Sequence, residues 1–122
     1  MKGKIHSGIW VREKQRIRLV PYSNITHLFH KKSITEIWMG NVVLQKAYSP
    51  LKVFEKILGD ESFIRTHRNY IVNISYIVFY DSTFKYVVLK NGKKIPISRR
   101  KRGNIEEVLS NYIHQKRTRH ED

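Results

Sequence analysis

The 122-residue chain contains no cysteine, which excludes disulfide scaffolds, thiol catalysis and cysteine-ligated zinc or iron–sulfur centres. Its longest apolar run, Tyr76 to Tyr80, is far shorter than the about 20 residues of a bilayer-spanning helix. The N-terminal residues Met1 to His6 carry charge, but the apolar stretch of a secretory signal does not follow them. We therefore expect a cytoplasmic protein without a membrane-spanning segment.

Acidic residues are also scarce, since 10 Asp and Glu stand against 24 Lys and Arg. The carboxylates are scattered or lie in pairs at predicted helix ends, Asp60-Glu61 and Glu106-Glu107, which does not suit a metal-dependent nuclease. The sequence also lacks a phosphate-binding glycine loop, a glycine-flanked nucleophilic serine and a zinc-protease histidine pair. We predict a protein that is not an enzyme and needs no metal or cofactor.

What the chain does have is a net charge of +14 together with 40% hydrophobic residues. That apolar content is enough for one folded domain, and a charge of this size attracts polyanions. The alternative is that the basic residues only keep the protein soluble. Their clustering in predicted loops favours nucleic-acid recognition instead, and the clusters are His30-Lys31-Lys32, Arg65 to Arg68 and Arg99 to Arg102.

Short blocks of β-branched and aromatic residues, separated by turn residues, predict a mainly β fold. Two hairpins are expected where glycine and asparagine form a two-residue turn, at Gly40-Asn41 and at Asn91-Gly92. The predicted strands are Arg16 to Val20, Ser23 to Phe29, Thr35 to Met39, Val42 to Gln45, Ile74 to Tyr80, Tyr86 to Leu89 and Lys93 to Ile97.

Two helices are predicted. Ser49-Pro50 supplies an N-cap and a first-turn proline for a short amphipathic helix that Gly59 ends. Asn104 is expected to cap a last helix, whose apolar face ends at Ile113. The expected organisation is an N-terminal extension at residues 1–10, one domain at residues 11–113 and a fraying polar tail at residues 114–122.

The segment from Phe63 to Asn73 reads Phe-Ile-Arg-Thr-His-Arg-Asn-Tyr-Ile-Val-Asn, and Ile77 and the block Ile95-Pro96-Ile97-Ser98-Arg99-Arg100 follow it. In residue type, order and spacing these blocks resemble the LytTR DNA-binding domain, the output domain of a group of bacterial response regulators. The family pattern is Phe-x-Arg-x-His-Arg-Ser, an aromatic residue, an aliphatic residue and Val-Asn, then an Ile-Pro-Val-Ser-Arg-like segment. The resemblance covers roughly Val11 to Ile113.

The resemblance implies an elongated stack of small antiparallel β-sheets with short helices, which binds duplex DNA through loops. The loop after the second strand and the turn with His67 and Arg68 would enter successive major grooves, and Arg99 would reach DNA between them. Asn73 is expected to hold backbone groups. The predicted DNA-binding residues are His30, Lys31, Lys32, Ser33, Arg65, His67, Arg68, Asn69, Arg99 and Arg100.

Two positions depart from the family pattern. Asn69 stands where serine is usual, which could retune a DNA contact because asparagine pairs bidentately with adenine. Phe29 stands where many members have glutamate, which leaves the path of the following loop open. The role of Arg65 also stays open between pinning the turn and contacting phosphate.

The expected function is that of a sequence-specific, double-stranded DNA-binding transcriptional regulator, with two copies on direct promoter repeats. Because 122 residues leave no room for the receiver domain usual in the family, a receiver or sensor partner acting in trans, or a truncated longer chain, is expected. Two alternatives stay open. One is a nonspecific nucleic-acid or RNA-binding module, and the other is a metal-free ribonuclease using His27, His30 and His67.

Overall fold

A computed structural model describes the backbone of residues 7–121 and the side chains of residues 7–12 and 14–112. Expectations for Met1 to His6, and for side chains beyond Tyr112, lie outside the described residues. Within that range, ten strands form three antiparallel sheets accompanied by two helices. The prediction of a mainly β fold built from small antiparallel sheets is confirmed. No helix in the described part is long and apolar enough to cross a membrane.

The strands and helices follow one another along the chain as β1 (Gly8–Glu13), β2 (Arg16–Pro21), β3 (His27–Lys31), β4 (Ile34–Met39), β5 (Val42–Ala47), α1 (Leu51–Leu58), β6 (Phe63–His67), β7 (Tyr70–Asn73), β8 (Ile77–Asp81), β9 (Tyr86–Leu89), β10 (Lys94–Pro96) and α2 (Arg102–Glu121). Strands β1 and β2 form a two-stranded sheet. The central sheet has the order β5-β4-β3-β7-β6, and the third sheet has the order β10-β9-β8.

The central sheet is buried on both faces. Because side chains alternate along a strand, neighbouring residues of β6 and β7 enter different cores. Phe63 and Ile71 pack with the first hairpin and α1, whereas Ile64 and Val72 pack with the third sheet and α2. The central sheet is therefore the rigid layer from which the connecting turns project.

The pairing of β3 with β7 decides which turns become neighbours. These strands are antiparallel, with Leu28 opposite Ile71 and Phe29 opposite Tyr70. The end of β3 therefore lies beside the start of β7. As a result, the β3–β4 turn and the β6–β7 turn lie at the same end of the central sheet.

The region before β3 differs from the sequence prediction in two places. Strand β1 was not predicted, and it begins inside the segment assigned to the extension at residues 1–10. The second predicted strand is displaced, because Tyr22–Asn24 form a single 3₁₀ turn and the strand begins at His27. The side-chain amide of Asn73 donates hydrogen bonds to the carbonyls of Tyr22 and Ile25, which holds that turn. The expectation that Asn73 holds backbone groups is confirmed.

Corrections of the same kind apply to the strand predicted from Ile74 and to the first helix. Ile74–Tyr76 form a 3₁₀ turn, because the Asn73 side chain accepts a hydrogen bond from the Ser75 backbone N–H, and β8 starts only at Ile77. Pro50 occupies the N-cap of α1 rather than its first helical position.

The basic connection predicted at residues 98–103 is mostly helical. Arg99–Lys101 form a 3₁₀ turn that leads into α2, so Asn104 lies inside the helix and does not cap it. The helical backbone also continues to Glu121, through the polar residues predicted to fray. Glutamine, lysine and arginine are good helix formers, so the polar sequence there is compatible with a helix.

Candidate nucleic-acid interface

Two turns lie side by side at one end of the central sheet, and we call them the paired turns: Lys32-Ser33 between β3 and β4, and Arg68-Asn69 between β6 and β7. The backbone N–H of His30 donates to the Asn69 carbonyl at 2.9 Å. In return, the side-chain amide of Asn69 donates to the His30 carbonyl, also at 2.9 Å. Because the bonds run in both directions, they fix the β6–β7 turn against the end of β3, beside the β3–β4 turn. The departure from serine at Asn69 therefore has a structural role.

The β3–β4 turn is shorter than predicted. His30 and Lys31 belong to β3, with Lys31 opposite Ile34, so only Lys32 and Ser33 form the turn. Both residues have positive φ, 51° and 71° respectively, as a type I′ hairpin turn requires. This turn matches the twist of the flanking strands, so the ladder extends to its edge. The side chains of Lys31, Lys32 and Ser33 are exposed.

The departure at Phe29 continues the strand. Its ring packs against Tyr70 of β7 with a centroid separation of 4.8 Å, and the two residues are directly opposite in register. An aromatic cross-strand pair stabilises the ladder at that point. The path of the chain after Phe29 is thus settled as two further strand residues followed by a tight turn.

His30 lies at the end of β3 with its ring half-buried. Its Nδ1 is 2.9 Å from the hydroxyl oxygen of Thr35, the residue opposite it on β4. Thr35 is fully buried, and its hydroxyl donates to the Ser49 carbonyl at 2.6 Å. This chain of contacts links the ring to the segment that precedes α1.

Arg65 holds the β6–β7 turn in shape. Its Nε donates to the His67 carbonyl at 3.0 Å, and Nη2 donates to the Arg68 carbonyl at 2.9 Å. Its Nη1 forms an ion pair with the carboxylate of Glu55 on α1 at 2.8 Å. Of the two roles left open by the sequence, these contacts favour pinning the turn over contacting phosphate.

His67 completes the same turn. Its Nδ1 accepts a hydrogen bond from the backbone N–H of Asn69 at 3.1 Å, and its ring meets Tyr70 edge-on. Burial lowers the pKa of His67 from its ordinary value of 6.5, and the charges of Arg68 and Arg65 lower that pKa further. The neutral ring is therefore favoured in the free protein. Arg68, by contrast, has an exposed side chain.

The third basic segment joins the paired turns from one side. The backbone N–H of Ser98 donates to the Thr66 carbonyl at 2.9 Å, which places the residues after β10 beside β6. A groove of about 520 Å³ runs between the segments, lined by Glu55, Arg65, His67, Arg68, Ser98, Arg99, Arg100 and Lys101. The carboxylate of Glu55 in this lining forms an ion pair with Arg65. The side chains of the exposed arginines therefore face the groove as hydrogen-bond donors. Such a groove suits phosphate oxygens and the acceptor edges of bases.

The structure brings the predicted site residues to one end of the molecule in three groups, which are His30 to Ser33, Arg65 to Asn69, and Arg99 with Arg100. Sequence reasoning missed the supporting residues Glu55 and Thr35, since their partners are 10 residues away for Glu55 and up to 14 for Thr35. The sequence carries no local signal for either contact. Lys101, which also lines the groove, belongs to the basic cluster noted in the sequence.

Known proteins resemble this chain in sequence and in structure. Residues 15–110 match the family model of the LytTr DNA-binding domain. The chain is 30% identical over 102 residues to the transcriptional regulatory protein LytR of Staphylococcus aureus strain N315, covering 81% of this chain and 41% of that protein. It is 40% identical over 63 residues to the sensory transduction protein LytT of Bacillus subtilis, covering 48% of this chain and 26% of that protein.

A solved LytTr DNA-binding domain from Bacillus cereus superimposes on the structure with a TM-score of 0.72 and 26% sequence identity. The match covers 85% of this chain and 97% of that domain. The chain spans less than half the length of the two curated relatives, 41% and 26%.

Proposed function

Because the chain belongs to the LytTR DNA-binding domain family, we propose that it binds double-stranded DNA sequence-specifically and regulates transcription at promoter repeats. The observation that carries this proposal is that hydrogen bonds fix the β6–β7 turn to the end of β3, beside the β3–β4 turn. Two basic turns held at the same end of one sheet form a surface that can enter the grooves of DNA at a set spacing. Flexible basic loops would attract DNA without fixing a register.

Within this surface the arginines and lysines take different parts. Arg68 and Arg99 are exposed at the groove, and a guanidinium can donate two parallel hydrogen bonds to a guanine edge. Lys31 at the end of β3 and Lys32 in the neighbouring turn are exposed and act as point charges on phosphate. Helix α2 is a poor recognition helix, since it exposes Glu106 and Glu107, which phosphates would repel.

Two copies are expected on each site, bound to a direct repeat, because the paired turns of one domain cover only a short stretch of duplex. The relatives extend well beyond the matched region, which supports an input from a receiver domain or a sensor partner. No such input surface is needed for the DNA contacts themselves.

The ribonuclease alternative is weakened by the position of His27. The ring is fully buried, stacked on Trp38, and its Nε2 does not reach solvent. A general acid or base must reach its substrate. Of the three histidines considered, only His30 and His67 are left near the surface.

Selection of bound duplexes from a random library tests the proposal. We expect enrichment of a pair of short repeats, and the absence of any enriched sequence would leave only nonspecific binding. On the enriched duplex, the slope of log affinity against log salt should be roughly −5 to −7, since about six to eight phosphates are neutralised. A slope shallower than about −2 would contradict the phosphate contacts.

A further inference from the structure

The proton on the His30 ring is placed by its neighbour. Thr35 has a single hydroxyl proton, and that proton is donated to the Ser49 carbonyl, which can only accept. The contact between His30 Nδ1 and Thr35 Oγ1 must therefore use a proton on Nδ1. A neutral imidazole carries one N–H, so Nε2 of His30 is left with its lone pair.

The ring of His67 is held in the opposite state. Its Nδ1 accepts from the backbone N–H of Asn69, and a backbone N–H offers no lone pair in return. The proton of the neutral ring is therefore on Nε2. The two histidines at the strand ends beside the paired turns thus carry their protons on different nitrogens.

In both rings, the nitrogen left over is available to a ligand. Among the described residues, Nε2 of His30 and Nε2 of His67 have no hydrogen-bond partner in the protein. Neither of these two Nε2 atoms is buried without a partner, whereas Nε2 of His27 is both buried and without a hydrogen-bond partner. Both nitrogens therefore reach solvent at the end of the sheet that carries the paired turns.

We propose that these fixed tautomers make the histidines complementary specificity determinants, with His30 reading hydrogen-bond donors and His67 reading acceptors. In the major groove, the donors are the amino groups of adenine N6 and cytosine N4, and the acceptors include guanine O6 and N7. Neutral His30 therefore disfavours guanine edges and phosphate, while His67 favours them. The DNA part of this inference rests on the proposed function, but the tautomers are properties of the free protein.

Nitrogen-15 NMR of the histidine rings tests the tautomers without DNA. At a pH where the rings are neutral, we expect protonated Nδ1 in His30 and protonated Nε2 in His67. In Thr35→Val the hydroxyl is lost, so His30 should shift toward protonated Nε2 while His67 stays unchanged as the internal control. Thr35→Ser should keep the wild-type pattern. Protonated Nε2 in His30 of the wild-type protein would overturn the inference, whether or not the variants fold.

Base analogues in the selected duplex test the reading. Deleting the one amino group that faces His30 should weaken wild-type binding about tenfold and His30→Ala binding hardly at all. Replacing guanine N7 by carbon should show the same coupling with His67 instead. Coupling of His30 to guanine N7 would contradict the assignment. If no duplex is enriched, the proposed function and the reading fail together, while the NMR result still decides the tautomers.

Discussion

The two turns at the end of the central sheet are built by opposite means. The β3–β4 turn is made by backbone alone, with Lys32 and Ser33 at positive φ, and its basic side chains are exposed. The β6–β7 turn has negative φ at Arg68 and Asn69, and side chains hold its shape: Arg65 donates to the His67 and Arg68 carbonyls and is itself held by Glu55. The β3–β4 turn therefore leaves its lysine side chains exposed, whereas in the β6–β7 turn polar side chains fix the backbone that carries Arg68.

Under the proposed function, this difference assigns binding strength to one turn and sequence reading to the other. Exposed lysine side chains are long and flexible, so their charges can reach the phosphates of any duplex. They therefore add affinity for DNA of any sequence. An arginine whose backbone is fixed from both sides can form paired hydrogen bonds only where the matching base is present. We expect substitutions in the two turns to differ in kind, and the following predictions use that contrast.

The largest effect should come from His27, which is buried at the start of β3, at the opposite end of that strand from the β3–β4 turn. Burial, with a smaller contribution from the charge of Lys93, lowers the pKa of His27 from 6.5 to about 4. Because the folded protein disfavours the charged ring, stability is full above the unfolded pKa and falls as the pH drops from about 6.5 to about 4. The loss over that window is about 3 kcal/mol of unfolding free energy.

Urea unfolding at pH 7 and at pH 4 measures this loss. The variant His27→Phe keeps a ring against Trp38 but cannot titrate, so its unfolding free energy should fall less over the same interval. Both turns should be lost together in the wild-type protein, because the sheet beneath them unfolds as a unit. Equal pH dependence in the two proteins would refute the assignment to His27.

Arg65→Met should break the β6–β7 turn and spare the β3–β4 turn. Methionine keeps part of the apolar stem but removes all three donated hydrogen bonds, so we expect a loss of about 2 kcal/mol in unfolding free energy. Glu55→Gln is the matched control, because it removes only the charge of a partly exposed ion pair and should cost less than about 1 kcal/mol.

The salt dependence of DNA binding separates the two roles of Arg65. If the residue only shapes the turn, Arg65→Met should lower affinity for the selected duplex and leave the slope against log salt unchanged. A slope that becomes shallower by about one unit would instead show a lost phosphate contact. That outcome would favour phosphate contact by Arg65, which is the role that its hydrogen bonds within the protein argue against.

Removing one basic residue from each turn tests the contrast directly. Arg68→Ala should cost about 1–3 kcal/mol on the selected duplex and much less on a scrambled one, and Arg99→Ala should behave alike. Lys31→Ala or Lys32→Ala should weaken both duplexes nearly equally and make the salt slope shallower by about one unit. Thermal melts should be little changed, since these side chains are exposed. Equal losses of affinity for both duplexes in Arg68→Ala would refute the assignment of Arg68 to base recognition.

Sequence reasoning succeeded where the determining signal is local. The Gly40-Asn41 hairpin follows from two adjacent residues that tolerate positive φ, and the structure has φ of 62° at Gly40. The turn with His67 and Arg68 follows from a contiguous motif through the family resemblance, although the strands β6 and β7 that flank it were not predicted.

What the sequence could not provide depends on partners far along the chain. The 3₁₀ turn at Tyr22–Asn24 is held by Asn73, about 50 residues later, so the strand predicted there was displaced. The bond from Asn69 to His30 joins residues 39 apart, and no local pattern distinguishes it from a free polar side chain. Strand β1 is half exposed, with Trp10 largely in solvent, so its alternation is weak.

The smallest effect should come from one substitution placed in each turn. Ser33 has φ of 71°, where an L residue is disfavoured by about 1–2 kcal/mol, while glycine costs about 0.5–1 kcal/mol in backbone entropy. Ser33→Gly should therefore stabilise the protein by about 0.5 kcal/mol. Asn69→Gly should instead destabilise it by up to about 1 kcal/mol, since the bond to His30 is lost and no positive φ is relieved. Urea unfolding of both variants at pH 7 measures the sign of each change in unfolding free energy. If both changes have the same sign, the β3–β4 turn is not supported by its backbone and the β6–β7 turn by its side chains, as the structure indicates.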